Sequence, residues 1–320
     1  MSINKSRIDY LDCLKALAMF GVVWIHSGCS PDILTVLLVD FAFFFLSGFF
    51  FKRIAFKEFL RKKINTILIP FLVFHFLYYP YNIIWYYWDN RTFVGFDWCS
   101  ALDIFTKGTI GTLVPLWFLL CLFFVQVAYY FLSYLNRYVI LLLSLLVLFF
   151  VENIFMYKMP LYIHSTICCL SYFAIGHLFG KKIITWISLN SNKVRSLIFT
   201  SIGYFFFWIL YITISNENLM LFVKHCRYLS LYIMLFIGFS YLNRNKILKM
   251  ILFFGTNTLA MLCIHVAIMR PFNRLGYKFF QSHEPWIGFI ITLITFFISY
   301  FVIKILNKYL PFLVGKRNVI

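Results

Sequence analysis

The chain reads as an all-α, polytopic membrane protein: a single integral-membrane domain over residues 1–320, about ten transmembrane helices in one bundle, both termini cytoplasmic. Three observations predict this. Hydrophobic residues make up 62% of the sequence, aromatics 22% and charged residues only 12%, with a mean hydropathy of +0.86, far outside the range of soluble globular domains. Apolar stretches long enough to cross a bilayer, each about 20 residues, recur along the whole length. The basic residues favour alternate linkers between those stretches, as the positive-inside rule requires.

The first stretch, 11–29, follows Lys5 and Arg7 but is interrupted by Asp12 and Lys15, which spoil the apolar core of a cleaved signal peptide, so it reads as a retained helix. The second, 33–51, is rich in phenylalanine and carries Asp40. Before the third, 67–88, lies the densest basic linker, K-R-I-A-F-K-E-F-L-R-K-K at 52–63. Its phenylalanines alternate with charges at helical spacing, which predicts an amphipathic helix on the membrane surface. The linker 89–108 is the longest on the outer side and, with Asp97, Trp98 and Asp103, has the length of a partial lid. Stretches 110–132 and 139–155 flank Arg137, 161–180 ends at Lys181 and Lys182, and 197–214 follows Lys193 and Arg195. The eighth, 228–242, is short. The ninth, 251–269, contains G-T-N-T-L, whose small and polar residues predict a tight contact between helices. The tenth, 286–305, precedes Lys308, Lys316 and Arg317.

Charge sets the orientation. The termini and even-numbered linkers hold most of the Lys and Arg, whereas the odd-numbered linkers hold only Arg91, Lys107, Lys158, Lys224, Arg227, Arg270, Arg274 and Lys278. The net charge of +18 therefore reflects membrane topology and not nucleic-acid binding. The eight cysteines form no C-x-x-C pair; Cys29 and Cys99 share the outer side, and most of the others read as packing residues. There is no H-E-x-x-H, H-x-x-x-H, Walker loop or G-x-G-x-x-G, which removes the sequence basis for metalloprotease, ATPase and dinucleotide redox chemistry. No metal is expected.

Function points to the first helix. Each ionisable group inside a bilayer costs at least a few kcal/mol, and this helix carries Asp12, Lys15 and His26. Eleven residues turn a helix by about 1,100°, so Lys15 and His26 lie within about 20° of one face and about 16 Å apart along the axis. Asp12, three residues before Lys15, is placed to neutralise it. Imidazole is the side chain best suited to take a proton from a hydroxyl at neutral pH, or to carry an acyl group itself. The alternative is a histidine that only hydrogen-bonds a neighbouring helix. Asp40 and His265 are further intramembrane polar residues; His75, Gln126, Glu152, His164, His177 and His225 read as single polar contacts.

The opening R-I-D-Y-L-D-C-L-K-A-L-A-M-F-G-V-V-W-I-H is similar to the first helix of the integral-membrane acyltransferase 3 group of bacterial O-acetyltransferases, in which a basic residue precedes a histidine by eleven positions. F-F-F-L-S-G-F-F-F, with Ser47, resembles the second signature, and L-W-F-L-L-C-L-F, with Trp117, the third. F-G-T-N-T-L-A-M-L-C-I-H, with Asn257 and His265, resembles the late segment. Lysine stands at 15 where many members carry arginine, and R-K-K replaces a spaced arginine pair after the second span. No hydrolase-like domain of the kind that some members append is expected from these 320 residues.

The resemblance implies a multi-pass enzyme of the bacterial cytoplasmic membrane that moves an acetyl group from acetyl-coenzyme A to a hydroxyl of a cell-surface or lipid-linked saccharide. His26 would act as general base or acyl carrier, with Asp12 and Lys15 beside it. Lys52, Arg53, Arg61, Lys62 and Lys63 would hold the phosphates of the donor, and Asp40, Ser47, Trp117, Asn257 and His265 would be substrate-binding or structural polar groups. The expected partners are the lipid bilayer and a saccharide, without nucleic acid; a homo-oligomer is compatible with the sequence. The alternative class is a transporter or flippase of a lipid-linked sugar or other polar solute, whose path the same polar residues would line. Against it stand the lack of an internal repeat and of paired glycine or proline interruptions.

Overall fold

The computed structural model describes residues 8–29, 40–109, 114–154, 160–189, 192–242, 246–280 and 284–316, and among them there is no β-strand. Each predicted apolar stretch carries helix. These are α1 (Asp9–His26), α2 (Asp40–Phe49), α3 (Phe56–Asn90), α4 (Trp117–Leu132), α5 (Arg137–Ile154), α6 (Ile163–Leu189), α7 (Lys193–Thr213), α8 (Glu217–Phe239), α9 (Lys246–Thr256), α10 (Thr258–Phe280) and α11 (Pro285–Tyr309). Among the described residues, five helices are long and apolar enough to cross a membrane, or six if α9 and α10 count as one span. The chain is therefore an all-α, multi-pass membrane protein.

α1 is the centre of the bundle. It buries Leu11, Leu14, Ala18, Met19 and Val23 and packs against α2, α8, α9, α10 and α11. Small residues allow the close approach that lipid alone does not drive. A Cβ on Gly255 at the end of α9 would collide with the backbone carbonyl of Asp12. α2 and α6 meet in the same way: a Cβ on Gly48 would strike the carbonyl of Phe173, and one on Gly176 that of Phe45. The phenylalanines divide between core and periphery, with Phe44, Phe45, Phe173 and Phe236 buried and Phe199, Phe205, Phe206 and Phe297 exposed. Two tyrosines fix α3 against α10, Tyr78 donating to the carbonyl of Cys263 at 2.7 Å and Tyr81 to that of Ala267 at 3.0 Å.

Three features depart from the sequence reading. The basic segment does not form a separate surface helix: its residues 56–63 are the first two turns of α3, joined to the rest through a π-helical turn at Ile64–Leu68. Its Phe59 is 2% exposed and packs on Phe51 and Tyr130 instead of facing lipid. The ninth stretch bends by 90° between α9 and α10. There the Asn257 amide donates to the carbonyl of Phe253 at 2.7 Å, as does the Thr256 hydroxyl at 2.9 Å, competing with the backbone ladder. The 89–108 linker folds back onto α3, where Tyr79 and Tyr86 donate to the carbonyls of Trp98 and Val94; none of its residues lines the cavity described below.

Both described ends of the chain meet at one end of the bundle. Asp12 lies against Gly255, and Asn257, two residues on, accepts from Asn307 at 2.9 Å and from Lys316.

Candidate active site

The predicted polar stripe of α1 lines one wall of a cavity of about 340 Å³. Lys15, Met19, Val22 and His26 face it at four- and three-residue spacing, the repeat of a single helix face. α2 adds Phe43, Leu46 and Ser47, and Phe50 follows just after it; α4 adds Trp117, Phe118, Leu122 and Gln126; Lys63 enters from α3. Gly255, Thr256 and Thr258 close the wall at the bend between α9 and α10. The cavity thus carries the cations Lys15 and Lys63 and the imidazole of His26 in a mostly apolar lining that also includes Ser47, Gln126, Thr256 and Thr258.

The Lys15 ammonium donates to Asp12 Oδ1 at 3.1 Å and sits 5.3 Å from the centre of the Phe50 ring. Asp12 is 3% exposed, so its carboxylate and the ammonium compensate one another away from water. Lys63 lies 5.4 Å from the centre of the Phe59 ring. Lys52, Arg53, Arg61 and Lys62 are exposed and lie outside the cavity lining. Arg53 instead ties the segment before α3 to the end of α4, donating to the carbonyl of Ser133 at 3.3 Å with its guanidinium over Tyr134.

His26 Nδ1 lies 2.7 Å from the carbonyl of Val22 one turn back. A carbonyl only accepts, which assigns the proton to Nδ1 and leaves Nε2 as a lone-pair acceptor. His265 of α10 packs edge to face against this ring, with centroids 5.3 Å apart. It is fully buried; its Nδ1 faces the carbonyls of Met261 and Leu262 at 3.1 and 2.9 Å, and its Nε2 has no hydrogen-bond partner among the described residues.

Of the other expected residues, Ser47 and Trp117 line the cavity, and Trp117 stacks on Tyr162 with centroids 5.3 Å apart. Asn257 serves the helix bend and the C-terminal segment. Asp40 begins α2, and its side chain lies outside the described residues. Gln126, which the sequence reads as a single polar contact, lines the cavity; it follows Phe118 and Leu122 at intervals of four on one stripe of α4. Among the described residues no group of three or more His, Cys, Asp or Glu is placed to hold a metal. A larger cavity of about 830 Å³ on another face of α1 is lined mostly by aromatic and aliphatic side chains, with Lys249 as the one charged group among the described residues that line it. It offers no acid–base pair.

Comparison with known proteins bears on this arrangement. Searches of the curated proteins and of the solved structures find no match. The family model described as an acyltransferase domain, that of the acyltransferase 3 family, matches residues 8–304, from the start of α1 into α11. The chain thus belongs to the acyltransferase 3 family of membrane acyltransferases.

Proposed function

We propose that the protein is an O-acetyltransferase that takes its acetyl group from acetyl-coenzyme A at the cytoplasmic side of a bacterial inner membrane and delivers it to a hydroxyl of a cell-surface or lipid-linked saccharide. The observation that carries this reading is the single cavity that Lys15, Lys63 and His26 line together. Family membership supplies the acyl-transfer chemistry and suggests a coenzyme A-type donor.

The thioester arm is linear and largely uncharged, matching a mostly apolar passage of about 340 Å³, within the usual size of small-ligand pockets. Lys63 at its mouth, with exposed Arg61, Lys62, Arg53 and Lys52 beyond, presents positive charge to the donor's phosphates. Lys15 and His26, about 16 Å apart along α1, are separated by roughly the length of an extended pantetheine arm. The acetyl group then sits beside His26. Nε2 accepts the proton of the acceptor hydroxyl while that oxygen attacks the thioester carbonyl; the C–S bond breaks, and the leaving thiolate recovers the proton. Base catalysis is favoured over an acyl-histidine because it needs no second stable state. His265 holds the His26 ring edge-on, and the Val22 carbonyl fixes its tautomer.

The test uses purified protein in sealed vesicles, with radiolabelled acetyl-coenzyme A on one side and a glycan acceptor on the other. Label in the glycan supports the enzyme; passage of unmodified glycan, without label transfer, overturns it.

A further inference from the structure

Beyond His26, α10 and α3 carry a second cluster that the cavity does not use. Arg270 and Arg274 stand one turn apart on α10, with their guanidinium groups 5.0 and 5.8 Å from the same Trp85 ring of α3. Both face the single carboxylate of Asp89: Arg270 Nη2 lies 4.0 Å from Oδ2, and Arg274 Nη1 pairs with Oδ1. Arg270 also donates to Asn82 Oδ1 at 3.5 Å. Between the two arginines, Asn273 donates through Nδ2 to the backbone carbonyl of His26 at 3.4 Å. The cluster is therefore anchored directly to the end of α1 that bears the imidazole.

Both guanidinium groups face Asp89, and Arg91 lies 5.0 Å from the centre of the Trp88 ring close by in the chain. The group is open to solvent: the Asp89 and Arg274 side chains are 43% and 46% exposed. Arginine forks match carboxylate and phosphate groups, and they keep that match when stacked on an indole. The exposed ring of Trp88, next to Asp89 in the chain, presents a flat apolar face of the kind that the C–H face of a sugar covers.

We infer that this cluster is the acceptor subsite, and that it selects a saccharide bearing a carboxylate or phosphate, whose anionic group takes the place of Asp89 between Arg270 and Arg274. The word acceptor rests on the reading of His26 as the transfer centre; the binding claim does not.

The test measures binding of tetragalacturonate, maltotetraose and dihexanoylphosphatidylglycerol to the purified full-length protein in a neutral detergent. Tetragalacturonate binds at least about tenfold more tightly than maltotetraose, and Arg274→Gln and the double variant Arg270→Gln/Arg274→Gln each weaken it about tenfold or more, at unchanged thermal midpoint for the exposed Arg274 change. Asp89→Asn, which removes the competing carboxylate, binds the acidic sugar at least as well as the parent. His26→Ala binds it normally, so an arginine-dependent site in a protein without transferase activity would uphold this inference while removing the reading of His26. Equal binding of the two sugars, binding of the anionic lipid but not the acidic sugar, or loss of binding in Asp89→Asn as in the arginine variants would overturn it, the last by showing a helix-to-helix latch.

Discussion

Replacing His265 with phenylalanine separates a functional imidazole from a packing one. His265 is fully buried against His26, and its Nε2 has no partner among the described residues. Burying an unsatisfied polar atom costs about 1–3 kcal/mol. Phenylalanine keeps the ring and removes that cost, giving up the Nδ1 hydrogen bond to the carbonyls of Met261 and Leu262, worth about 1 kcal/mol. The variant is therefore expected to be as stable as the parent or up to about 2 kcal/mol more stable. Its acetyl-transfer rate falls at least about tenfold, equivalent to about 1.4 kcal/mol of barrier, because His26 loses its polar neighbour. Thermal unfolding in matched detergent and initial rates of label transfer read the two effects. A variant that is less stable yet transfers at the parental rate would refute the reasoning, by showing His265 to be a structural contact with no part in the chemistry.

Other substitutions test the remaining parts of the site. Lys15→Met removes the ion-pair partner of a carboxylate only 4% exposed, while Lys15 itself is 24% exposed. Its cost should fall between that of an exposed and a buried pair, about 2 kcal/mol, with partial recovery in the double variant Asp12→Asn/Lys15→Met, followed by thermal midpoints. Gly255→Ala drives a methyl group into the Asp12 carbonyl and should cost about 1–3 kcal/mol by the same measurement. Lys63→Ala raises KM for acetyl-coenzyme A while kcat changes little, and Lys52→Ala, outside the cavity lining, has the smaller effect in steady-state kinetics.

Helical periodicity made the α1 wall legible, because eleven residues return Lys15 and His26 to one face whatever the neighbours do. The close packing at Gly255 was also readable, since a small residue beside threonine and asparagine has few other uses in an apolar helix. Contacts between helices were not. The meeting of His26 with His265 depends on the register of α10 against α1, held by contacts far apart in sequence such as that of Asn273 with the carbonyl of His26. Which member of the basic run reaches the cavity follows from where α3 runs past α4, and the π-helical turn just after Lys63 leaves no mark in composition. The bend at Asn257 arises from side-chain hydrogen bonds that periodicity does not register. The fold-back of 89–108 rests on tyrosine hydroxyls finding backbone carbonyls, which spacing does not encode.

The central claim is that His26 performs the transfer at the end of this cavity. Purified parent and His26→Ala proteins, matched for amount and thermal midpoint, are supplied with radiolabelled acetyl-coenzyme A and a glycan acceptor, and label in the glycan is counted. The account predicts transfer by the parent and loss of at least about a hundredfold in the variant, the scale of a missing general base, with donor binding retained. Parental label transfer by a folded His26→Ala protein would contradict it.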